Sequence, residues 1–173
     1  RTDFNWGSWT SWKKKDSERL DRSYNYPHVA ALHWTMYRLA RNSVGLVTNH
    51  PWDWYLRNAY ETILAMMKFA PYYTQYGQME GTVFLEILKD LQREGWKAEA
   101  ADLEAKMKSR ADIGMNKAYP FGSEMAWDST GQEELRVFLT NFPDSHSRHG
   151  LDRIEAIDSR GYQVIQYQPK GAI

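Results

Sequence analysis

The chain contains no cysteine, which excludes disulfide staples, zinc–thiolate sites and thiol nucleophiles. Neither charge sign is in excess, with 22 Lys and Arg against 22 Asp and Glu. A neutral chain does not draw nucleic acid or anionic membrane by its overall field. The longest basic run, Lys13-Lys14-Lys15, is too short to change that locally. No window reaches the roughly eighteen consecutive apolar residues that a membrane-crossing helix needs. No Gly-rich phosphate loop follows a strand, so nucleotide binding has no support. His28 and His33 are five positions apart, not the four that would face two imidazoles onto one metal, and no metal or cofactor is expected. The chain opens with Arg1 and no charged-then-apolar signal, as expected of a mature product or an excised fragment.

What is abundant is aromatic. Eight Trp and eleven Tyr stand among 173 residues, and many fall outside helical stripes: Trp6, Trp9, Trp12, Tyr24, Tyr26, Tyr72, Tyr73, Tyr76, Tyr119 and Trp127. Loops need few aromatics for packing, so this bias favours ligand contact.

Four helices are predicted. The first covers residues 27–42, with Pro27 in the first turn, where its missing N–H costs nothing. Val29, Leu32, Met36 and Leu39 give it an apolar stripe. The second covers 51–70, burying Tyr55, Leu56, Ala59, Ile63, Met66 and Met67, with Asn49 or His50 as cap and Pro71 as stop. The third covers 78–94, with Val83, Phe84, Ile87, Leu88 and Leu91 inside and Gly95 closing it in a left-handed conformation. The fourth covers 96–112, repeating Trp96, Ala100, Leu103, Met107 and Ala111 on one face, and is expected outermost.

Short connections favour antiparallel helical hairpins, hence an all-α array. Antiparallel order places the segment 21–28, the turn 72–80 and the loop 119–134 at one rim. Three segments rich in Tyr, Asn, His and Glu therefore converge. Helix N-termini there add free N–H groups and a positive dipole end. The segment Tyr119-Pro-Phe-Gly-Ser-Glu-Met-Ala-Trp-Asp-Ser-Thr-Gly-Gln-Glu-Glu134 is the richest, with four carboxylates, two aromatics beside Pro120, and Trp127. Aromatic faces stack on pyranose rings, while carboxylates bind hydroxyls or move protons.

Four blocks carry a resemblance: Ser23-Tyr-Asn-Tyr-Pro-His-Val-Ala-Ala31, Gly45-Leu-Val-Thr-Asn-His-Pro-Trp-Asp-Trp-Tyr55, Tyr76-Gly-Gln-Met-Glu-Gly-Thr-Val-Phe84 and the 119–134 segment. Over residues 17–134 the chain resembles a six-hairpin glycosidase-like family of unknown function, whose members are large and mostly secreted fungal and bacterial proteins. The resemblance implies an (α/α)6 toroid with six inner and six outer helices and its site at the rim of inner-helix N-termini. Helices one and three would be inner, two and four outer. Four or five helices cannot close a twelve-helix ring, so the chain would be a segment of one, its partner the missing remainder. Secretion is likewise implied by the resemblance alone.

The organisation expected is an aromatic N-terminal segment at 1–26, the hairpin array at 27–134 and a divergent, irregular tail at 135–173. The tail includes a loop at 141–150 and a possible strand at 162–167. The likeness stops after Glu134 abruptly enough to suggest an alternative splice or a shifted frame.

Candidate catalytic residues are Glu124, Asp128 and Glu80. A carboxyl beside Trp127 in a partly dry cleft suits a general acid, although Asp128-Ser-Thr-Gly also reads as an Asx turn. Glu80, in the first turn of its helix, is either a rim acid–base or dipole compensation. Its neighbour Gly81 would permit close approach of a ligand. Asn25, Tyr26, His28, Tyr76, Gln78, Trp127 and Glu133 would line the subsites. Glu133 and Glu134 stand at or just inside the next helix, one of them facing solvent. The expected function is carbohydrate binding or glycosidic hydrolysis by the complete ring, this chain alone being inactive. A polysaccharide lyase using Asn25, Tyr26 and His28 is one alternative; a non-catalytic glycan- or protein-binding helical module is the other.

Overall fold

The computed structural model describes residues 14–117 and 131–142. The described residues are helical, with no strand among them. A single turn, α1 (Lys14–Ser17), is followed by α2 (Asn25–Asn42), α3 (Trp52–Phe69), a 3-10 turn at Tyr73–Gln75, α4 (Gly81–Arg93), α5 (Lys97–Met115) and α6 (Gln132–Asn141). The four predicted helices are all present. The third begins three residues later than its periodicity suggested, because Gln78 to Glu80 are committed to other contacts.

Side-chain pairs give the directions. α2 and α4 run parallel, since His28 meets Glu80 at their starts and Arg41 meets Glu94 at their ends. α3 returns against α2, with Trp52 on Tyr37. α5 runs beside α3 in the same direction, through Arg57–Glu99 and the Tyr60 hydroxyl donating to Asp102 Oδ2 at 2.8 Å. α6 starts where α4 starts and packs on both α4 and α5. The result is two layers: α2, α4 and α6 in one, α3 and α5 in the other, pointing oppositely. It is an all-α array of antiparallel hairpins.

The hairpin ends are explained locally. Gly95 adopts φ 77°, and the N–H of Trp96 reaches back to the Leu91 carbonyl, closing α4 in a left-handed cap that costs glycine little. α3 has no side-chain cap at Pro51; His50, expected as a cap, stacks on Trp54 with centroids 4.0 Å apart.

The core lies between the layers, where Leu56, Ala59, Ile63, Met66, Phe84, Ile87, Leu91, Leu103, Met107, Leu135 and Phe138 are buried. The stripes foreseen for the second, third and fourth predicted helices are therefore largely the ones used. The stripe foreseen for α2 is used only at Met36, which is partly buried against the core. Pro27, Ala30 and Tyr37 are its buried positions, whereas Val29, Leu32 and Leu39 are 42%, 60% and 37% exposed. Apolar residues on one edge of an array are covered only if a further element stands there, and among the described residues none does.

The boundary placed after Glu134 falls inside α6, which continues through buried Leu135, Val137 and Phe138 to Asn141. The first residues assigned to a divergent tail are part of the core. The possible strand at 162–167 lies outside the described residues.

Two buried phenols tie neighbouring helices within each layer: Tyr60 of α3 on Asp102 of α5, and Tyr37 of α2 donating to Glu94 Oε1 at the end of α4 at 2.9 Å. Burial first, and then the carboxylate acceptors, push both phenols far above their ordinary value of 10.0. Raised folded values mean that the contribution is complete below about pH 10 and is lost as pH climbs through the folded values. Through these groups thermal melts should not vary with pH near neutrality and should fall above pH 10. The double variant Tyr37→Phe/Tyr60→Phe should fall less steeply, as differential scanning calorimetry would show.

Candidate functional site

The starts of α2, α4 and α6 meet at one rim, as the hairpin order requires. α4 begins in an unusual way. Glu80, directly before it, has φ 61° and ψ 28°, a left-handed conformation that costs a side-chain-bearing residue about 1–2 kcal/mol. It precedes the helix and is not in its first turn, so the expected position is corrected by one residue. Its backbone N–H and that of Thr82 both donate to the Glu133 carboxylate, at 3.1 Å each. A carboxylate from α6 thus caps α4 across the array, satisfying donors that a helix start leaves open.

Glu80 projects toward α2. His28 Nδ1 lies 2.5 Å from Glu80 Oε1, its N–H donating to the carboxylate. His28 is half exposed. Glu80 Oε2 is buried and has no hydrogen-bond partner among the described residues. A carboxylate strained at the backbone, paired on one oxygen and unsatisfied on the other, is poised to accept from or donate to an incoming group. Backbone strain of this kind gathers at functional sites.

Beneath the pair lies a buried ion pair that sequence reasoning did not single out. Arg110 Nε and Nη2 donate to Glu134 Oε1 and Oε2 at 2.9 and 2.5 Å, a two-pronged arrangement. The same guanidinium donates to the carbonyls of Thr74 and Tyr76, and Glu134 Oε2 also accepts the Gln78 N–H at 2.6 Å. Arg110 is 6% exposed and Glu134 0%. Together they fix the turn 74–78 to α5 and α6, and so fix where Glu80 stands. One signal was available: Arg110 follows Met107 by three positions, placing a charge beside an apolar stripe.

The glycines complete the joint. A Cβ on Gly81 would lie 2.3 Å from Glu134 Cα, and one on Gly77 2.6 Å from the Gly131 carbonyl oxygen. Gly81 admits α6, and not a ligand as expected.

The other named residues divide. Gln78 is 1% exposed, with Nε2 donating to the Tyr76 carbonyl, so it is a buried brace and not a subsite wall. Glu133 has both oxygens engaged on backbone N–H groups, so it is a cap although it faces solvent. The Tyr76 ring is covered by the Lys117 ammonium at 4.8 Å, whose Nζ also donates to Gln75. Tyr26 does not join His28. Its hydroxyl donates to the Leu20 carbonyl at 2.8 Å, and with Asn25, Leu20, Val29, Thr62 and Ala65 it lines a separate cavity of about 300 Å³ toward α3. Glu124, Asp128 and Trp127 lie outside the described residues. The segment that carries them joins Lys117, beside Tyr76, to Gly131, beside Gly77. Both its ends are at the rim.

A family model described as "Family of unknown function (DUF5695)" matches residues 1–163. The chain belongs to the DUF5695 family. The match extends past Glu134 and includes most of what sequence reading set apart as a tail, in keeping with the way α6 passes through that point. No curated protein and no solved structure matches the chain. For this DUF5695 member, function must be argued from the rim itself. No helix among the described residues is long and apolar enough to cross a membrane.

Proposed function

We propose that this DUF5695 member carries part of the sugar-binding rim of a glycosidase-like α/α toroid, with Glu80 as the carboxylate that meets the sugar. The observation that carries it is the Glu80–His28 pair at the joint start of parallel α2 and α4. A carboxylate held by an imidazole, with a buried oxygen unpartnered among the described residues and aromatic segments leading to the same rim, is suited to hydroxyl recognition and proton transfer. The alternating layers, α2–α4–α6 against α3–α5, support the toroid: they repeat as inner and outer helices repeat in such a ring. Hydrolysis in the complete protein would need a second carboxylate, for which Glu124 and Asp128 are the candidates. An extracellular location accompanies this reading.

The lyase reading is weaker. Its phenol, Tyr26, is engaged on Leu20 and faces α3, and burial raises its pKa, opposite to what a base needs.

Melting curves of the chain against an oligosaccharide panel test the proposal. One sugar class should raise the melting temperature, and Glu80→Gln should remove that shift while leaving the sugar-free melt nearly unchanged. A sugar shift of full size in Glu80→Gln, or no shift with any sugar, would count against it. Glu80→Gly separates strain from function. Releasing the left-handed backbone should stabilise the fold by about 1 kcal/mol, while the sugar response is lost.

A further inference from the structure

The far end of α2, about 20 Å from His28 along the helix, carries a second constellation. An open cavity of about 630 Å³ lies between the C-terminal halves of α2 and α4, walled by Trp34, Tyr37, Leu39 and three arginines, Arg38, Arg41 and Arg93. Two carboxylates accompany them, Glu94 within the wall and Asp90 behind it. Asp90, 2% exposed, accepts from the Trp34 indole at 2.8 Å and pairs with Arg93. Glu94 accepts from Tyr37 and from Arg41 Nε. Arg41 and Arg93 are thus committed: each sits in the last turn of its helix, offsets the carbonyl end there, and holds a carboxylate.

Arg38 is different. It lies over the Trp34 ring at 4.9 Å, is exposed, and has no carboxylate partner among the described residues. Trp34 itself is fixed by its bond to Asp90, so the guanidinium rests on a held aromatic plane. One uncommitted planar fork beside an apolar wall fits a flat monoanion. A guanidinium meets a carboxylate through two parallel N–H···O bonds, and the Trp34, Tyr37 and Leu39 wall accepts an apolar body.

We propose that this cavity is a binding site for a small organic monocarboxylate, with Arg38 as the residue that grips its carboxylate. The site is separate from the Glu80 rim and does not depend on the function proposed for it.

Benzoate is the probe, benzamide its neutral isostere and inorganic phosphate the competing oxyanion. Each is titrated into the full chain at constant ionic strength while NMR follows the Trp34 indole N–H and the Arg38 Nε–H. Benzoate should give saturable shifts with a dissociation constant on the order of 1 mM, and benzamide at least about tenfold weaker binding. Arg38→Gln should weaken benzoate about tenfold with an unchanged melting temperature. Equal binding of benzamide would reduce the cavity to an apolar cleft and overturn the proposal. So would tighter binding of phosphate, or full benzoate affinity in Arg38→Gln. Should that variant melt lower, the benzoate–benzamide comparison on the native chain decides alone.

Discussion

Replacing Arg110 with leucine is expected to destabilise the chain by about 3–5 kcal/mol, a large share of a small domain's stability. The guanidinium makes two bonds to Glu134 and two more to the Thr74 and Tyr76 carbonyls. Its removal leaves a fully buried carboxylate whose remaining bond is to the Gln78 N–H. Desolvating an uncompensated charge dominates that cost. The companion variant Arg110→Leu/Glu134→Leu discriminates between causes. If the penalty is the orphaned charge, the double variant should recover much of the loss, because a buried pair is often no better than apolar replacement. If the pair's bonds to the turn 74–78 matter more, the double variant should stay unstable. Denaturant melts of the three proteins measure both quantities. A single variant within about 1 kcal/mol of the native chain would contradict the burial seen here. Glu80 should also respond, since the turn held by Arg110 leads directly into it: any sugar shift should weaken in the double variant even where stability returns.

The helices were legible because their apolar spacing is regular and their ends carry Pro51, Pro71 and Gly95. Hairpin order then required one common rim, and the contacts of His28 with Glu80 and of Glu133 with α4 bear that out. What could not be read was which polar residues the fold would consume. From sequence, Gln78 and Glu133 look like rim ligands of the same kind as Glu80, and Glu134 like a residue at the start of the next helix. Bonds across 24 to 56 positions turn them into a brace, a cap and half of a buried ion pair. Glu80 stays distinct through its backbone: a left-handed glutamate has no marker in a single sequence. The α2 stripe misled for a related reason. Its period is sound, but period alone does not say whether a neighbour is there to cover it.

The second large effect is expected at Gly81. In an ordinary helix start, Gly→Ala would stabilise by up to about 1 kcal/mol through reduced chain entropy. Here the added methyl would lie 2.3 Å from Glu134 Cα and 2.5 Å from its Cβ, and the first of these is backbone that no rotamer change can move. α6 must retreat from α4. That withdraws Glu134 from Gln78 and Arg110, and Glu133 from the N–H groups of Glu80 and Thr82. The sum should exceed the usual cost of an overpacked core, about 3 kcal/mol or more. Gly95→Ala is the control: its φ of 77° imposes strain, but nothing lies within 4 Å, so about 1 kcal/mol is expected. Gly77→Ala, blocked by the Gly131 carbonyl, should resemble Gly81→Ala. Calorimetry on the three variants should therefore give two deep losses and one shallow one. Three similar shallow losses would mean that α6 does not abut α4 as closely as this joint requires, and the Glu80 rim would lose the support that positions it.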